Sequence, residues 1–135
     1  MFLLEFLFCR TGFVIACIGS AVGMEIFNDA NRPVYVAVDE NDSVMGYAFC
    51  IKKKQPFPTN MVPFDSLFID DLCVDQNIRG KHVGQKIFEH VKEEAKKMGC
   101  YEVTLNVWEG NDTARRFYEK MGMVPKETQM EFILK

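Results

Sequence analysis

The segment from Asp70 to Gly84 holds the residues whose types and spacing best suit chemistry. It reads Asp70-Asp71-Leu72-Cys73-Val74-Asp75-Gln76-Asn77-Ile78-Arg79-Gly80-Lys81-His82-Val83-Gly84. An apolar run passes into a short polar turn, and a basic, glycine-bearing loop then opens a long amphipathic stretch. Such a loop suits a phosphate. The first N–H groups of a helix have no intrahelical partner, the helix dipole adds positive potential, and glycine allows close backbone approach. Arg79 and Lys81 place cations beside those amides. The adjacent carboxylates Asp70 and Asp71 are candidate proton acceptors, because a carboxylate in a half-buried strand is costly without a partner or a task. A regular pleat points them to opposite faces. Glu109 is the alternative base, and an ordinary exposed carboxylate is the plain reading of each.

The elements that must position these groups follow from periodicity. Residues Pro33–Asp39 and Val44–Ile51 are apolar, β-branched runs around the turn Glu40-Asn41-Asp42-Ser43, which predicts an antiparallel hairpin with a bulge at Gly46. Residues 52–66 hold Pro56, Pro58 and Pro63 and read as a long irregular connection. Within it Phe57, Met61 and Phe64 are candidates to line a pocket or a subunit contact. Leu67–Val74 is the central strand. His82–Met98 is a helix with Val83, Ile87, Phe88, Val91, Ala95 and Met98 on one face, stopped by Gly99. Tyr101–Trp108 is a strand. Asn111 caps a second helix with Ala114, Phe117, Tyr118 and Met121 on its buried stripe, and Gly122 ends it. Met130–Leu134 is a last strand. Alternating strands and helices behind a hairpin argue an α/β mixed sheet.

Composition bounds the function. A chain of 135 residues, 48% apolar and 26% charged, fits one globular domain with its own core. The net charge of −3 gives no sign of a nucleic-acid partner. Five cysteines without a Cys-x-x-Cys pair and only two histidines argue against a zinc site and for reduced thiols in a reducing cytoplasm. Residues 1–24 carry only Glu5 and Arg10 as charged side chains. The charge-free run Thr11–Met24 falls short of the about 20 residues a membrane span needs, and the basic start of a signal peptide is missing. A buried strand and helix is the first reading. An interface segment, a membrane or export element, and a wrong start or frame remain as alternatives.

Two segments resemble the GNAT superfamily of acyl-CoA-dependent N-acyltransferases. Arg79-Gly80-Lys81-His82-Val83-Gly84 is similar to the family's motif A loop, R/Q-x-x-G-x-G/A, with His82 standing where glycine is usual. Asn111 to Met123 is similar to motif B, Asn-x-x-Ala-x-x-Phe-Tyr-x-x-x-Gly-Phe, with Met123 in place of the last Phe. The resemblance covers roughly 100 of the 135 residues, from about Pro33 onward. It implies one domain over residues 1–135, with an atypical or shortened N-terminal region at 1–32. Its sheet is mixed and mostly antiparallel, with splayed central strands flanked by helices.

By that resemblance, backbone N–H groups of Arg79, Gly80, Lys81, His82, Val83, Gly84 and Gln85 bind the pyrophosphate of acetyl-CoA. The backbone of Leu72, Cys73 and Val74 pairs with the pantetheine arm, and an N–H near Leu72 serves the oxyanion. Lys52, Lys53 and Lys54 read as a solvated face, with attraction for the coenzyme's 3′-phosphate as the alternative. His82 reads either as a phosphate contact or as a surface residue of the first helical turn. Asn111 contacts the pantetheine or is a plain N-cap. Tyr118 protonates the departing thiolate, where periodicity alone would give a core tyrosine, and Asp71 or Asp70 takes the amine's proton.

The expected function is transfer of an acetyl group from acetyl-CoA, as co-substrate, to a primary amine of a small or amino-acid-like acceptor, by direct attack in a ternary complex. The alternatives are a protein lysine or N-terminal acetyltransferase and a non-catalytic acyl-CoA-binding protein. The resemblance admits a homodimer. Neither a metal nor a membrane is expected.

Overall fold

The computed structural model describes the backbone of residues 2–5 and residues 29–41, 43–55, 62–78 and 82–135. Among the described residues, five strands are β1 (Phe2–Glu5), β2 (Val34–Val38), β3 (Val44–Lys54), β4 (Asp65–Val74) and β5 (Glu102–Leu105), and two α-helices are α1 (Val83–Lys97) and α2 (Asp112–Lys120). They form one sheet in the order β1-β2-β3-β4-β5, antiparallel throughout except for the parallel β4–β5 pair. The expected mixed, mostly antiparallel sheet with flanking helices is present. From the N-terminal region only Phe2–Glu5 is described, as a strand, and residues 6–28 lie outside the described residues.

Every residue of β2 is buried, which suits its β-branched run and a strand covered on both faces. Tyr35 and Ala37 join Ala48, Cys50, Leu67 and Ile69 under Val83, Ile87, Phe88, Val91 and Ala95 of α1. Val34, Val36 and Val38 form a second cluster with Phe49, against which Val44 and Tyr47 pack. Helix α1 buries the stripe that periodicity picked out, and Gly99 stops it. The N–H of Gly99 (φ 75°) donates to the Lys96 carbonyl and that of Cys100 to Ala95, a Schellman closure. Helix α2 ends the same way at Gly122 (φ 98°), with Gly122 N–H donating to Glu119 and Met123 N–H to Tyr118.

Several boundaries differ from expectation. Lys52, Lys53 and Lys54 belong to β3, because the hairpin with β4 continues to Lys54↔Asp65 and the Gln55 N–H donates to the Phe64 carbonyl beyond it. Lys52 pairs with Asp65 at 3.3 Å and donates to the Met98 carbonyl, while Lys53 lies 3.8 Å over the Phe68 ring. Phe64 stacks on Tyr101 at 5.1 Å; Phe57 and Met61 lie outside the described residues. The expected strand Tyr101–Trp108 is only Glu102–Leu105, because β4 turns away after Ile69↔Leu105. Met130–Leu134 has strand-like alternation but forms no strand, since no described strand pairs with it and a strand needs a ladder. Phe132 and Leu134 there are 87% and 92% exposed.

Candidate active site

Strand β4 changes character halfway. From Ser66 to Ile69 it has β3 on one edge and β5 on the other. From Leu72 to Val74 it pairs with β3 only, and no described strand occupies the other edge. The change falls at a bulge. Phe49 faces Asp71 and Cys50 faces Ile69, so Asp70 is the extra residue. A bulge increases local twist and bends its strand, which turns the upper half of β4 away from β5. On that edge the backbone groups of Leu72, Cys73 and Val74 are paired by no described strand, the arrangement that the splayed-strand expectation requires.

The bulge means that the two carboxylates do not sit on the regular pleat assumed for them. Both Asp70 and Asp71 are exposed. Asp71 accepts a hydrogen bond from the Tyr47 hydroxyl at 3.2 Å. Burial, and then the charges of Asp71 and Cys73, push the Tyr47 phenol well above its ordinary range. Asp70 acts on a different neighbour. Burial, and secondarily the Asp70 charge, push the buried Cys50 thiol up to about 12. Glu109 is exposed beyond the end of β5.

Tyr118 reaches the same region from α2. Its half-buried ring packs against the main core, in a T-shaped contact with Phe117 at 5.1 Å and tilted to Phe88 at 6.1 Å. Burial, and then the charge of Asp71, raise its phenol above the ordinary tyrosine value. The hydroxyl thus stays protonated through neutral pH, the state a proton donor needs. Asn111 accepts the Ala114 N–H at 3.3 Å and is the N-cap of α2, the plainer of its two expected roles.

The loop expected to meet the pyrophosphate is described in part. Arg79, Gly80 and Lys81 lie outside the described residues. His82 is not in the first helical turn. It is the N-cap of α1, exposed, with its carbonyl accepting the Lys86 N–H and its side chain making no capping bond. Its backbone is left-handed, at φ 57° and ψ 29°. Glycine adopts that conformation freely, whereas an L-residue with a Cβ is disfavoured there by about 1–2 kcal/mol. Val83 is buried and Gln85 exposed in the first turn of α1, which carries no acidic residue. Gly84 lies where α1, α2 and the end of β4 meet: a Cβ there would stand 3.4 Å from the Phe117 ring and 3.5 Å from Val74.

Tyr47 was not singled out by sequence reasoning. The signal was its place on a strand of the hairpin, but its partnership with Asp71 depends on a ladder register set by a bulge. No group of His, Cys, Asp and Glu among the described residues could hold a metal, and no described helix is long and apolar enough to cross a membrane.

A mixed, mostly antiparallel sheet whose central strand is laddered on both edges over only half its length, with the start of α1 beside its end, is the architecture of an acetyltransferase fold. The chain belongs to the acetyltransferase (GNAT) family, whose profile matches residues 10–123. Glucosamine 6-phosphate N-acetyltransferase of Arabidopsis thaliana is 44% identical over 62 residues, 46% of this chain and 40% of that protein. Peptidyl-lysine N-acetyltransferase YjaB of Escherichia coli (strain K12) is 31% identical over 90 residues, 67% of this chain and 48% of that protein. The chain thus spans less than half the length of these curated relatives. Aminoglycoside N-acetyltransferase AAC(6')-Iy, solved in complex with CoA, shares the fold, with a TM-score of 0.78 at 14% identity over 99% of each chain.

Proposed function

We propose that the protein transfers the acetyl group of acetyl-CoA to the primary amine of a small acceptor, with an amino sugar phosphate as the first candidate. The observation that carries this is the half-unpaired β4, whose free edge at Leu72–Val74 lies beside Asp71, with the protonated phenol of Tyr118 under the charge of that carboxylate. Pantetheine pairs with that edge as an added strand, and the pyrophosphate meets the loop from Arg79 to Gln85. The family supports acetyl-CoA as co-substrate, and the glucosamine 6-phosphate relative supports the acceptor class.

The chemistry is direct attack. One of the adjacent carboxylates, Asp70 or Asp71, takes a proton from the acceptor ammonium. The neutral amine adds to the thioester carbon, and the oxyanion meets an N–H near Leu72. The C–S bond then breaks as the nitrogen gives up its second proton to water, and the thiolate takes a proton from Tyr118, which solvent restores. A single domain in a reducing cytoplasm fits this reading and the three described cysteines, which are free. Pairing of two copies belongs to it as well, supported by exposed Met130, Phe132, Ile133 and Leu134.

Thiol release from acetyl-CoA, measured with glucosamine 6-phosphate, an aminoglycoside and a lysine peptide, tests the proposal. Fastest turnover with the amino sugar phosphate is expected. Fastest turnover with the peptide would favour the protein acetyltransferase, the reading supported by the likeness to peptidyl-lysine N-acetyltransferase. Coenzyme binding without turnover of any amine would favour a non-catalytic binder.

A further inference from the structure

We propose that Asp71, held by the hydroxyl of Tyr47, is the carboxylate that meets the acceptor amine, and that Tyr47 is its positioning residue. This rests on the acetyltransferase reading and chooses between the two carboxylates that reading left open.

The geometry comes from the ladder. Tyr47 stands opposite Cys73 and Phe49 opposite Asp71, so Tyr47 and Asp71 are diagonal neighbours on one face of β3 and β4. The Tyr47 ring packs against Phe49 at 4.9 Å and 53°, which fixes the direction of its hydroxyl. That hydroxyl donates to Asp71 Oδ2 at 3.2 Å and leaves Oδ1 for another donor. Among the described residues, Tyr47 from β3 bonds Asp71, Cys73 of its own strand acts on the same tyrosine, and the Asp71 charge reaches Tyr118 of α2. Among the described residues no lysine, arginine or histidine forms an ion pair with it. An oriented carboxylate with no described cation paired to it, beside a strand edge that no described strand occupies, fits an ammonium group.

Asp70 lacks this arrangement. As the bulged residue it has no cross-strand partner in the ladder, no described hydrogen bond holds its carboxylate, and its charge acts on buried Cys50 rather than on the tyrosines. Burial and the Asp71 charge keep the Tyr47 phenol protonated across the working pH range, so it remains a donor. A hydrogen bond to a charged group is worth about 1.5–3 kcal/mol, enough to fix a surface carboxylate against solvent.

The test is a double-mutant cycle with glucosamine 6-phosphate as the acceptor. Tyr47→Phe should lower kcat/KM for the amine about tenfold, an energy of about 1.4 kcal/mol. The dissociation constant for acetyl-CoA should stay within about twofold. In an Asp71→Asn background the same substitution should cost nothing further, while with Asp70→Asn the losses should multiply. Carbon NMR of ring-labelled tyrosine supplies a readout that needs no turnover: the Tyr47 Cζ resonance should move in Asp71→Asn and stay in Asp70→Asn. Multiplying losses for Tyr47→Phe with Asp71→Asn, coupling to Asp70 instead, or an unmoved resonance would each overturn the proposal. Failure of the wild type to bind acetyl-CoA would remove the enzyme reading and the amine role together, whereas a failed cycle in an active enzyme removes the Tyr47–Asp71 assignment alone.

Discussion

The two halves of β4 are built from similar residues and do opposite things. Asp65–Ile69 is laddered to β3 and, from Ser66, to β5, with Ser66, Leu67 and Ile69 buried. Asp70–Val74 has β3 alone, with Asp70, Asp71 and Cys73 exposed. One inserted residue at Asp70 separates them. The lower half spends both backbone edges on folding, whereas one edge of the upper half is paired by no described strand and is the edge proposed for the pantetheine arm. A strand that ended at Ile69 would lose the packing of Leu72 and Val74 on the main core and have no such edge, while a fully paired strand would have no free N–H or C=O groups.

Perturbations of each half should therefore read out differently. The largest contrast is in thiol chemistry. Cys50, opposite Ile69, is pushed from its ordinary 9.0 to about 12 by burial, which cuts its thiolate fraction about a thousandfold. Cys73 is exposed. Among Cys50, Cys73 and Cys100, mass spectrometry after limited iodoacetamide should find Cys73 labelled first and Cys50 last, with acetyl-CoA slowing the labelling of Cys73. Next is stability. Leu67→Ala, at a fully buried position, should cost about 3 kcal/mol in denaturant unfolding, whereas Cys73→Ala should stay within about 0.5 kcal/mol. Equal costs would erase the distinction between the halves.

Tyr118→Phe should leave that unfolding curve nearly unchanged and lower kcat about a hundredfold, the low end for a general acid, because a coenzyme thiolate is already a fair leaving group. Its phenol titrates above the ordinary 10.0, so wild-type kcat should hold as pH rises to about 10 and fall only beyond it, and the Phe variant should lack that alkaline limb. Wild-type turnover in Tyr118→Phe, in an assay limited by chemistry, would return the tyrosine to the core. The smallest effect is expected at His82. His82→Gly relieves a left-handed Cβ but gives the unfolded chain more freedom, for a net gain of about 1 kcal/mol in stability, with unchanged or tighter acetyl-CoA binding. A tenfold loss of affinity would make the imidazole a ligand.

The elements were largely legible in the chain because their signals are local. The three- and four-residue spacing of Val83, Ile87, Phe88, Val91 and Ala95 gave α1. Gly99 and Gly122 marked the helix ends, and Asn111 the start of α2. Long-range pairing was not legible. Whether Lys52–Lys54 continue β3, where Tyr101–Trp108 stops being a strand and whether Met130–Leu134 finds a partner all depend on which strand lies alongside. The bulge at Asp70 leaves no mark in composition, and the register that brings Tyr47 to Asp71 depends on it. The glycine-like conformation of His82 was visible only as a departure from the motif, whose physical reason is the positive φ.

The central claim is that the upper half of β4 is completed by acetyl-CoA. Amide hydrogen exchange followed by NMR, residue by residue, tests it most directly. Without coenzyme the Ser66–Ile69 amides should be protected, and among Leu72, Cys73 and Val74 those directed away from β3 should exchange quickly. Saturating acetyl-CoA should slow exchange in Leu72–Val74 and in the Val83–Gln85 turn at least about tenfold beyond any change in Ser66–Ile69. A uniform slowing of both halves, or no change at Leu72–Val74 while the coenzyme is bound, would contradict the account.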